Sequence, residues 1–134
     1  MVSMRRWSIL SPHFFLIQVI KMEIKSIFEK VNLIVPLEQR RFFNYLEDTA
    51  NELISKYGEK FVLENGASVC SFDNNIDGEI NILPLYEKAI VNNILFNAGA
   101  GEQYISEFLR HADAAYLFYW RNNAKGKRLK KKEW

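Results

Sequence analysis

The 134-residue sequence is poor in the residues that build disulfides and metal sites. It holds a single cysteine, Cys70, and two histidines, His13 and His111, which lie far apart along the chain. One cysteine excludes an internal disulfide and a cysteine-rich zinc site. No H-E-x-x-H or similar spacing is present, so a histidine-based metal site would need added carboxylates. We therefore expect no metal ligands and no cofactor.

Catalytic and phosphate-binding motifs are also lacking. Gly99 and Gly101 are followed by Tyr104, where a G-x-G-x-x-G motif needs its third glycine, and no Lys-Ser/Thr pair follows. His111 has no general-base partner or pocket that the sequence can indicate, so we expect it on the surface. No catalytic residue can be named, and the sequence favours a protein that is not an enzyme.

One short segment is similar to the start of a calcium-binding loop. The first six positions of an EF-hand are matched by Asp73, Asn75, Asp77 and Gly78. The bidentate glutamate required at the twelfth position is missing, because Pro84 stands there. The segment is therefore predicted to form a turn that does not bind calcium tightly.

Apolar residues, by contrast, are plentiful, and charge is unevenly placed. The chain is 49% hydrophobic and 14% aromatic, which is enough for the core of one domain. Residues 1–124 carry 12 basic and 15 acidic side chains, a balance of −3. Residues 125–134 carry six basic and one acidic, a balance of +5. A mildly acidic body thus precedes a strongly basic tail.

Hydrophobic periodicity predicts an all-α (mainly α) protein, a small helical bundle. Residues 24–31 form a short amphipathic helix, and residues 37–57 show the clearest single apolar face. Residues 85–98 are apolar almost all round, which is typical of a buried helix. Residues 102–120 are apolar on one side and complete a long central helical hairpin, with fraying expected from Asn122 and Asn123. Between the second and third helices, residues 68–72 and 79–82 suggest either a short β-hairpin or an extended loop.

The first 21 residues allow two interpretations. Met4, Arg5 and Arg6 precede an apolar run, as in a targeting segment, but Pro12 interrupts it and no cleavage site follows. Alternatively, translation begins at Met22, which we favour. The predicted organisation is an N-terminal extension at 1–21, a helical domain at 22–124 and a basic tail at 125–134.

Two adjoining stretches are candidate binding residues. Tyr116, Phe118, Tyr119 and Trp120 belong to an aromatic run of which only the two tyrosines lie on the apolar stripe, so it serves either a protein interface or a crowded core. The tail either contacts a polyanion or an acidic protein, or is a solvated end. Its basic residues are Lys125, Lys127, Arg128, Lys130, Lys131 and Lys132.

The layout resembles that of the small helical head–tail connector (adaptor, or head completion) proteins of tailed bacteriophages. The similarity covers residues 22–123. It comprises a short helix, a proline and an amphipathic helix ending in E-L-I-S-K-Y, then I-L-P-L-Y-E-K-A-I-V opening a buried helix. A turn and a second helix follow, running through Tyr104, Phe108, Ala112, Ala115 and Tyr116 to Trp120.

This resemblance implies a structural subunit without catalytic residues. It would form a ring with copies of itself, usually a dodecamer, beneath the portal protein and around the DNA channel. A tail-side stopper or tail completion protein would be a further partner, double-stranded DNA would pass without sequence-specific binding, and no membrane would be involved. The location would be the virion, with assembly in the host cytoplasm. The alternative hypothesis is a small helical nucleic-acid-binding or regulatory protein that uses its basic tail.

Overall fold

The computed structural model describes residues 21–64 and 67–132, with side chains up to residue 122. In chain order its elements are β1 (Met22–Glu23), α1 (Ile24–Asn32), α2 (Gln39–Tyr57), α3 (Glu59–Val62), β2 (Glu79–Ile80), a 3-10 turn (Pro84–Tyr86), α4 (Glu87–Asn97) and α5 (Gln103–Lys132). The prediction of a mainly α protein is confirmed. The extension at 1–21 lies, except for Lys21, outside the described residues.

Helices α1 and α2 form where the apolar spacing predicts them. Ile24, Ile27 and Val31 of α1 are fully buried on one face. Asn32 ends this helix with its side chain, whose Nδ2 donates to the Phe28 carbonyl while its Oδ1 accepts from the Leu37 amide at 2.8 Å. The amide of Asn32 therefore fixes the connection that leads through Pro36 into α2.

Helix α2 ends at a glycine that redirects the chain. Gly58 has φ +89°, a conformation that other residues rarely adopt, and its amide donates to the Ile54 carbonyl at 2.8 Å. The short helix α3 follows at once and places Phe61 and the buried Val62 beside the end of α2. Phe61 thus continues the apolar surface of α2 on a separate turn of helix.

The small sheet differs from the predicted hairpin. β2 pairs antiparallel with β1, Met22 opposite Ile80, and residues 68–72 form no strand. The predicted pairing of 68–72 with 79–82 is wrong, and the extended-loop alternative describes this segment. Met22 and Ile80 are both buried, so their pairing covers the core. The side chain of Asn81 instead holds the loop, donating to the Val69 carbonyl and accepting from the Ser71 amide.

Helix α4 lies at the centre of the bundle. It packs against α1, α2 and α5, and its buried residues are Ala89, Ile90, Asn93, Ile94 and Leu95. An ion pair fixes its first turn, because Glu87 accepts from Lys30 Nζ at 2.6 Å and from Ser26 Oγ at 2.9 Å. The positive end of the helix dipole also stabilises a carboxylate in the first turn. The helix predicted at 85–98 is therefore present, opened by the 3-10 turn.

One buried polar pair links α4 to α2. Asn93 Nδ2 donates to Thr49 Oγ1 at 2.9 Å, and that hydroxyl donates to the Tyr45 carbonyl at 2.8 Å. Both side chains are almost inaccessible to solvent. A buried polar group without a partner costs more than a hydrogen bond gains, so this pair sets the rotation of α4 relative to α2.

Helix α5 is longer than predicted. It runs for 30 residues to Lys132, whereas the sequence placed its end near Trp120 with fraying at Asn122 and Asn123. The predicted end is wrong. Gly126 is the only strong helix breaker after Trp120, and glycine costs only about 1 kcal/mol relative to alanine, while lysine, arginine, leucine and alanine favour helix.

We expect Thr49→Val to lower the free energy of unfolding by about 1–3 kcal/mol, because it leaves the buried Asn93 amide without an acceptor. Urea denaturation of the two proteins measures this difference. Asn92→Ala is the matched control, since the partly buried Asn92 makes a solvent-exposed hydrogen bond to the Lys88 carbonyl of its own helix. Equal losses in the two variants would contradict the assigned role of the pair.

Candidate binding surfaces

The turn before α5 fixes where that helix starts. The Ala98 amide donates to the Ile94 carbonyl at 2.8 Å and the Ala100 amide to the Leu95 carbonyl at 3.0 Å, which satisfies the end of α4. Gly99 sits between them with φ +85°, as a chain reversal requires. Helix α5 then packs along α4 with Phe108, Ala112 and Ala115 buried. The two alanines allow close approach of the helices.

An aromatic cluster holds the middle of α5 against the body. The Tyr116 ring stacks on Tyr57 at 4.9 Å and meets Phe61 edge-on at 5.3 Å. Tyr119 also meets Phe61 edge-on, at 6.1 Å. Such pairs each contribute about 0.5–1.5 kcal/mol beyond the area they bury. Tyr116 and Tyr119 are therefore partly buried members of an intramolecular cluster.

Hydrogen bonds orient this cluster. The Tyr57 hydroxyl donates to the Asp113 carboxylate of α5, and the Tyr86 hydroxyl donates to the Phe61 carbonyl at 2.8 Å. Burial raises the pKa of Tyr57, and its hydrogen bond to Asp113 raises it further. Burial likewise raises the pKa of Tyr86. Both hydroxyl groups therefore remain protonated at neutral pH and can donate these hydrogen bonds. The hydrogen bonds define the position of α5 along α2 and α3.

The other aromatic residues of the run face solvent. The exposed fraction is 63% for Phe118, 46% for Leu117 and 37% for Trp120. Tyr116 and Tyr119 are thus in intramolecular ring contact, whereas Phe118 and Trp120 expose more than a third of their surface. We call Leu117, Phe118 and Trp120 the exposed strip. Isolated exposed apolar residues are ordinary, but three within four positions of one helix mark a candidate contact surface.

The six basic residues of the tail belong to the same helix as the exposed strip. The backbone of α5 continues without a break through Lys125, Lys127, Arg128, Lys130, Lys131 and Lys132. The structure describes no side chains beyond residue 122, so their role in binding stays a prediction. The exposed strip and the basic segment, residues 125–132, are thus successive parts of α5.

A groove on the opposite half of α2 was not foreseen from the sequence. It has a volume of about 570 Å³ and lies between α2 and the loop at 70–74, with Glu79 at one end. Phe43 and Phe72 form an apolar wall, with ring centroids 6.2 Å apart and nearly parallel planes. Its polar lining comes from Asn44, Glu47, Ser71, Asp73, Asn74 and Glu79. The loop reaches α2 from almost 30 residues away in sequence, which is why periodicity gave no signal.

The sole cysteine of the chain also lines this groove. Burial raises the pKa of the Cys70 thiol to about 11, and the negative charge of Glu47 adds to the effect. A thiol with so high a pKa is protonated at neutral pH and is a poor nucleophile. Cys70 therefore has the properties of a packing residue.

The remaining motifs singled out in the sequence are ordinary surface features. In the turn at 73–78, Asn75 uses its Oδ1 to accept the Asp77 amide at 3.0 Å, and the Gly78 amide donates to the Asn75 carbonyl. His111 lies 3.5 Å from Glu107, which Arg110 binds at 2.6 Å. The hydrogen bond from Arg110 lowers the pKa of Glu107. Among the described residues no group of three or more potential ligands could hold a metal ion.

A search for membrane-spanning helices and three comparisons with known proteins complete the description. Within residues 21–64 and 67–132, no helix is both long enough and apolar enough to cross a bilayer. No protein-family model, curated protein or solved structure matches the chain. The class that the fold itself defines is a small mainly α protein with one long C-terminal helix.

We expect the alkylation rate of Cys70 in the folded protein to keep rising as the pH is raised through about 10, because its pKa is near 11. In the urea-unfolded chain the rate should be half-maximal near pH 8.5, about the pKa of a free cysteine, and should level off about one pH unit higher. Iodoacetamide labelling followed by mass spectrometry measures both. Since the folded pKa is the higher one, the thiol stabilises the fold below about pH 8.5 and loses this effect as the pH rises. A plateau near pH 8.5 in the folded protein would contradict this.

Proposed function

We propose that the protein is a structural head–tail connector subunit of a tailed phage or prophage. In this proposal it forms a ring with copies of itself beneath the portal protein and around the DNA channel. A tail-side stopper or tail completion protein would bind the other side of the ring. The protein acts in the virion after assembly in the host cytoplasm, and it catalyses no reaction.

The observation that carries the proposal is the form of α5. Its first half packs on the body as far as Tyr119, and its second half continues to Lys132. At a rise of about 1.5 Å per residue, the 13 residues after Tyr119 extend the helix by about 20 Å. A helix that carries an exposed aromatic strip and then a basic segment suits a subunit whose contacts are made with other proteins.

The charge of the body agrees with a role near DNA that does not involve gripping it. Residues 21–124 carry ten basic and 15 acidic side chains, a balance of −5. Acidic surfaces repel phosphates, so a channel lined by such bodies would let double-stranded DNA pass. The basic segment would then be directed toward protein surfaces rather than into the channel.

A second candidate function is nucleic-acid binding through the basic segment. It is favoured by the same six basic residues, because lysine and arginine neutralise phosphates and release counterions. Neighbouring exposed Phe118 and Trp120 could stack on unpaired bases. The two functions differ in the partner of α5, which makes them separable by experiment.

Removing residues 125–134 should leave the melting temperature nearly unchanged, because the described contacts of α5 with the body end upstream. It should weaken binding to the portal protein of the same phage or prophage. Differential scanning calorimetry and co-sedimentation with that portal protein measure the two effects. Binding by the intact chain should also weaken with added salt, since the contact involves exposed charges.

A full-length control separates charge from helix length. In it, glutamine replaces the six basic residues of the segment, which keeps a helix-favouring chain of the same size. Loss of portal binding in both variants supports an electrostatic docking contact. Normal portal binding together with lost DNA mobility shift would reject the connector role of the segment and favour nucleic-acid binding.

A further inference from the structure

We propose that the end of α5, its exposed strip and basic segment together, docks into the groove between α2 and the 70–74 loop of a second copy of this chain. This inference rests on the proposed function only in placing a second copy of the chain beside the first in a ring. Within the ring the segment contacts this neighbour, and its removal weakens portal binding by weakening the ring. The occupant of the groove is a segment of known sequence, and described residues of α2 and the 70–74 loop line the groove.

The groove has the opposite charge to the segment that would fill it. Three carboxylates line it, those of Glu47, Asp73 and Glu79, and among the described residues no lysine or arginine lines it. Among the ion pairs and hydrogen bonds of the described residues, none involves the carboxylate of any of the three. Their charges are therefore available to a cation from outside the chain, and complementary charges steer association and fix its register.

The groove also offers apolar surface to an aromatic or aliphatic side chain. The nearly parallel rings of Phe43 and Phe72 form its wall, and Phe72 is only partly buried. The helix that would enter carries Leu117, Phe118 and Trp120 on the surface, immediately before its basic residues. Apolar contact beside paired charges is the usual composition of a protein interface.

The segregation of charge between residues 21–124 and the tail fits contact between copies. Residues 21–124 sum to −5 and residues 125–134 to +5. Pairing the tail of one copy with the body of the next neutralises both and repeats from copy to copy. Such a head-to-tail contact uses two different patches, so it closes into a ring when the rotation between copies permits.

Two chains, each with a single cysteine, test the contact directly. Both carry Cys70→Ser. The first adds Asn74→Cys, at an exposed position lining the groove, and the second adds Leu129→Cys, which keeps all six basic charges of the tail. The two chains carry tags of different mass and are mixed at low salt with a short bismaleimide. We expect a cross-linked band of the mixed mass, and we expect it to disappear at about 1 M salt, where the Debye length is roughly 3 Å.

A matched control places the first cysteine elsewhere on the same helix. Ser55→Cys in the Cys70→Ser chain is exposed on α2 but does not line the groove. It should cross-link to the tail far less than the Asn74→Cys chain does. Equal yields from the two positions would mean random collision and would overturn the inference.

Charge removal provides a second control. Glu47→Gln with Asp73→Asn and Glu79→Gln should lower the yield about tenfold, the change expected from the loss of a few surface ion pairs. Asp48→Asn with Glu52→Gln, two exposed acidic residues of α2 outside the groove, should leave it nearly unchanged. Equal effects of the two sets would show general attraction to an acidic body and would overturn the inference.

The remaining outcomes separate this inference from the proposed function. A chain that carries both Asn74→Cys and Leu129→Cys and links only within itself would show the tail in its own groove, which overturns the inference. Absence of the mixed band both with and without the portal protein, while the portal still binds, overturns the inference and leaves the connector proposal standing. A specific mixed band without portal binding supports the inference and counts against the connector proposal.

Discussion

The burial of α4 is the constraint on which the rest of the structure depends. This helix exposes little of its surface, so the chain must cover it with α1, α2 and α5. Ile90, Ile94 and Leu95 supply the apolar contacts, and the hydrogen bond between Asn93 and Thr49 selects one rotation of the helix. A purely apolar helix in that position could slide or turn at small cost. The buried amide prevents this, because every other rotation leaves it unpaired.

The position of α5 follows from that central packing and from one glycine. Gly58 ends α2 and turns the chain into α3, which brings Phe61 beside Tyr57. Together these rings receive Tyr116, and Asp113 accepts the Tyr57 hydroxyl. The helix is thereby held along its first half, and its second half extends beyond the cluster. The same local geometry that stabilises the bundle therefore determines which aromatic residues remain exposed for binding.

Acidic and basic side chains are concentrated in different parts of the molecule. The body has an acidic groove with an aromatic wall, and α5 ends in a basic segment. The carboxylates of the groove form no ion pairs within the described residues, and the basic segment follows the last described ring contact, so we predict that both features contribute little to stability. Surfaces that contribute little to stability are free to serve recognition. This separation is compatible with the proposed role in assembly.

The sequence by itself determined the helical class and most helix positions. Periodicity at 24–31 and 37–57 was sufficient because each of these helices buries a regular stripe of its own residues. The helix at 85–98 was predicted because it is apolar almost all round. Periodicity also identified Phe118 and Trp120 as residues off the stripe of α5. Periodicity failed at the end of α5. Asn122, Asn123 and Gly126 suggested a helix end there, but the free energy that each costs in a helix is too small to end it.

Only the tertiary structure decided the pairings between distant segments. β2 pairs with β1 rather than with 68–72, because Met22 and Ile80 meet over the core. The groove exists because Asn81 ties the loop at 69–71 in place and Phe72 then reaches Phe43 of α2. Contacts of this kind join residues far apart in sequence, and their free energy depends on shape and burial in the assembled core. Local helix and strand propensities depend on neither shape nor burial, so they do not predict these contacts.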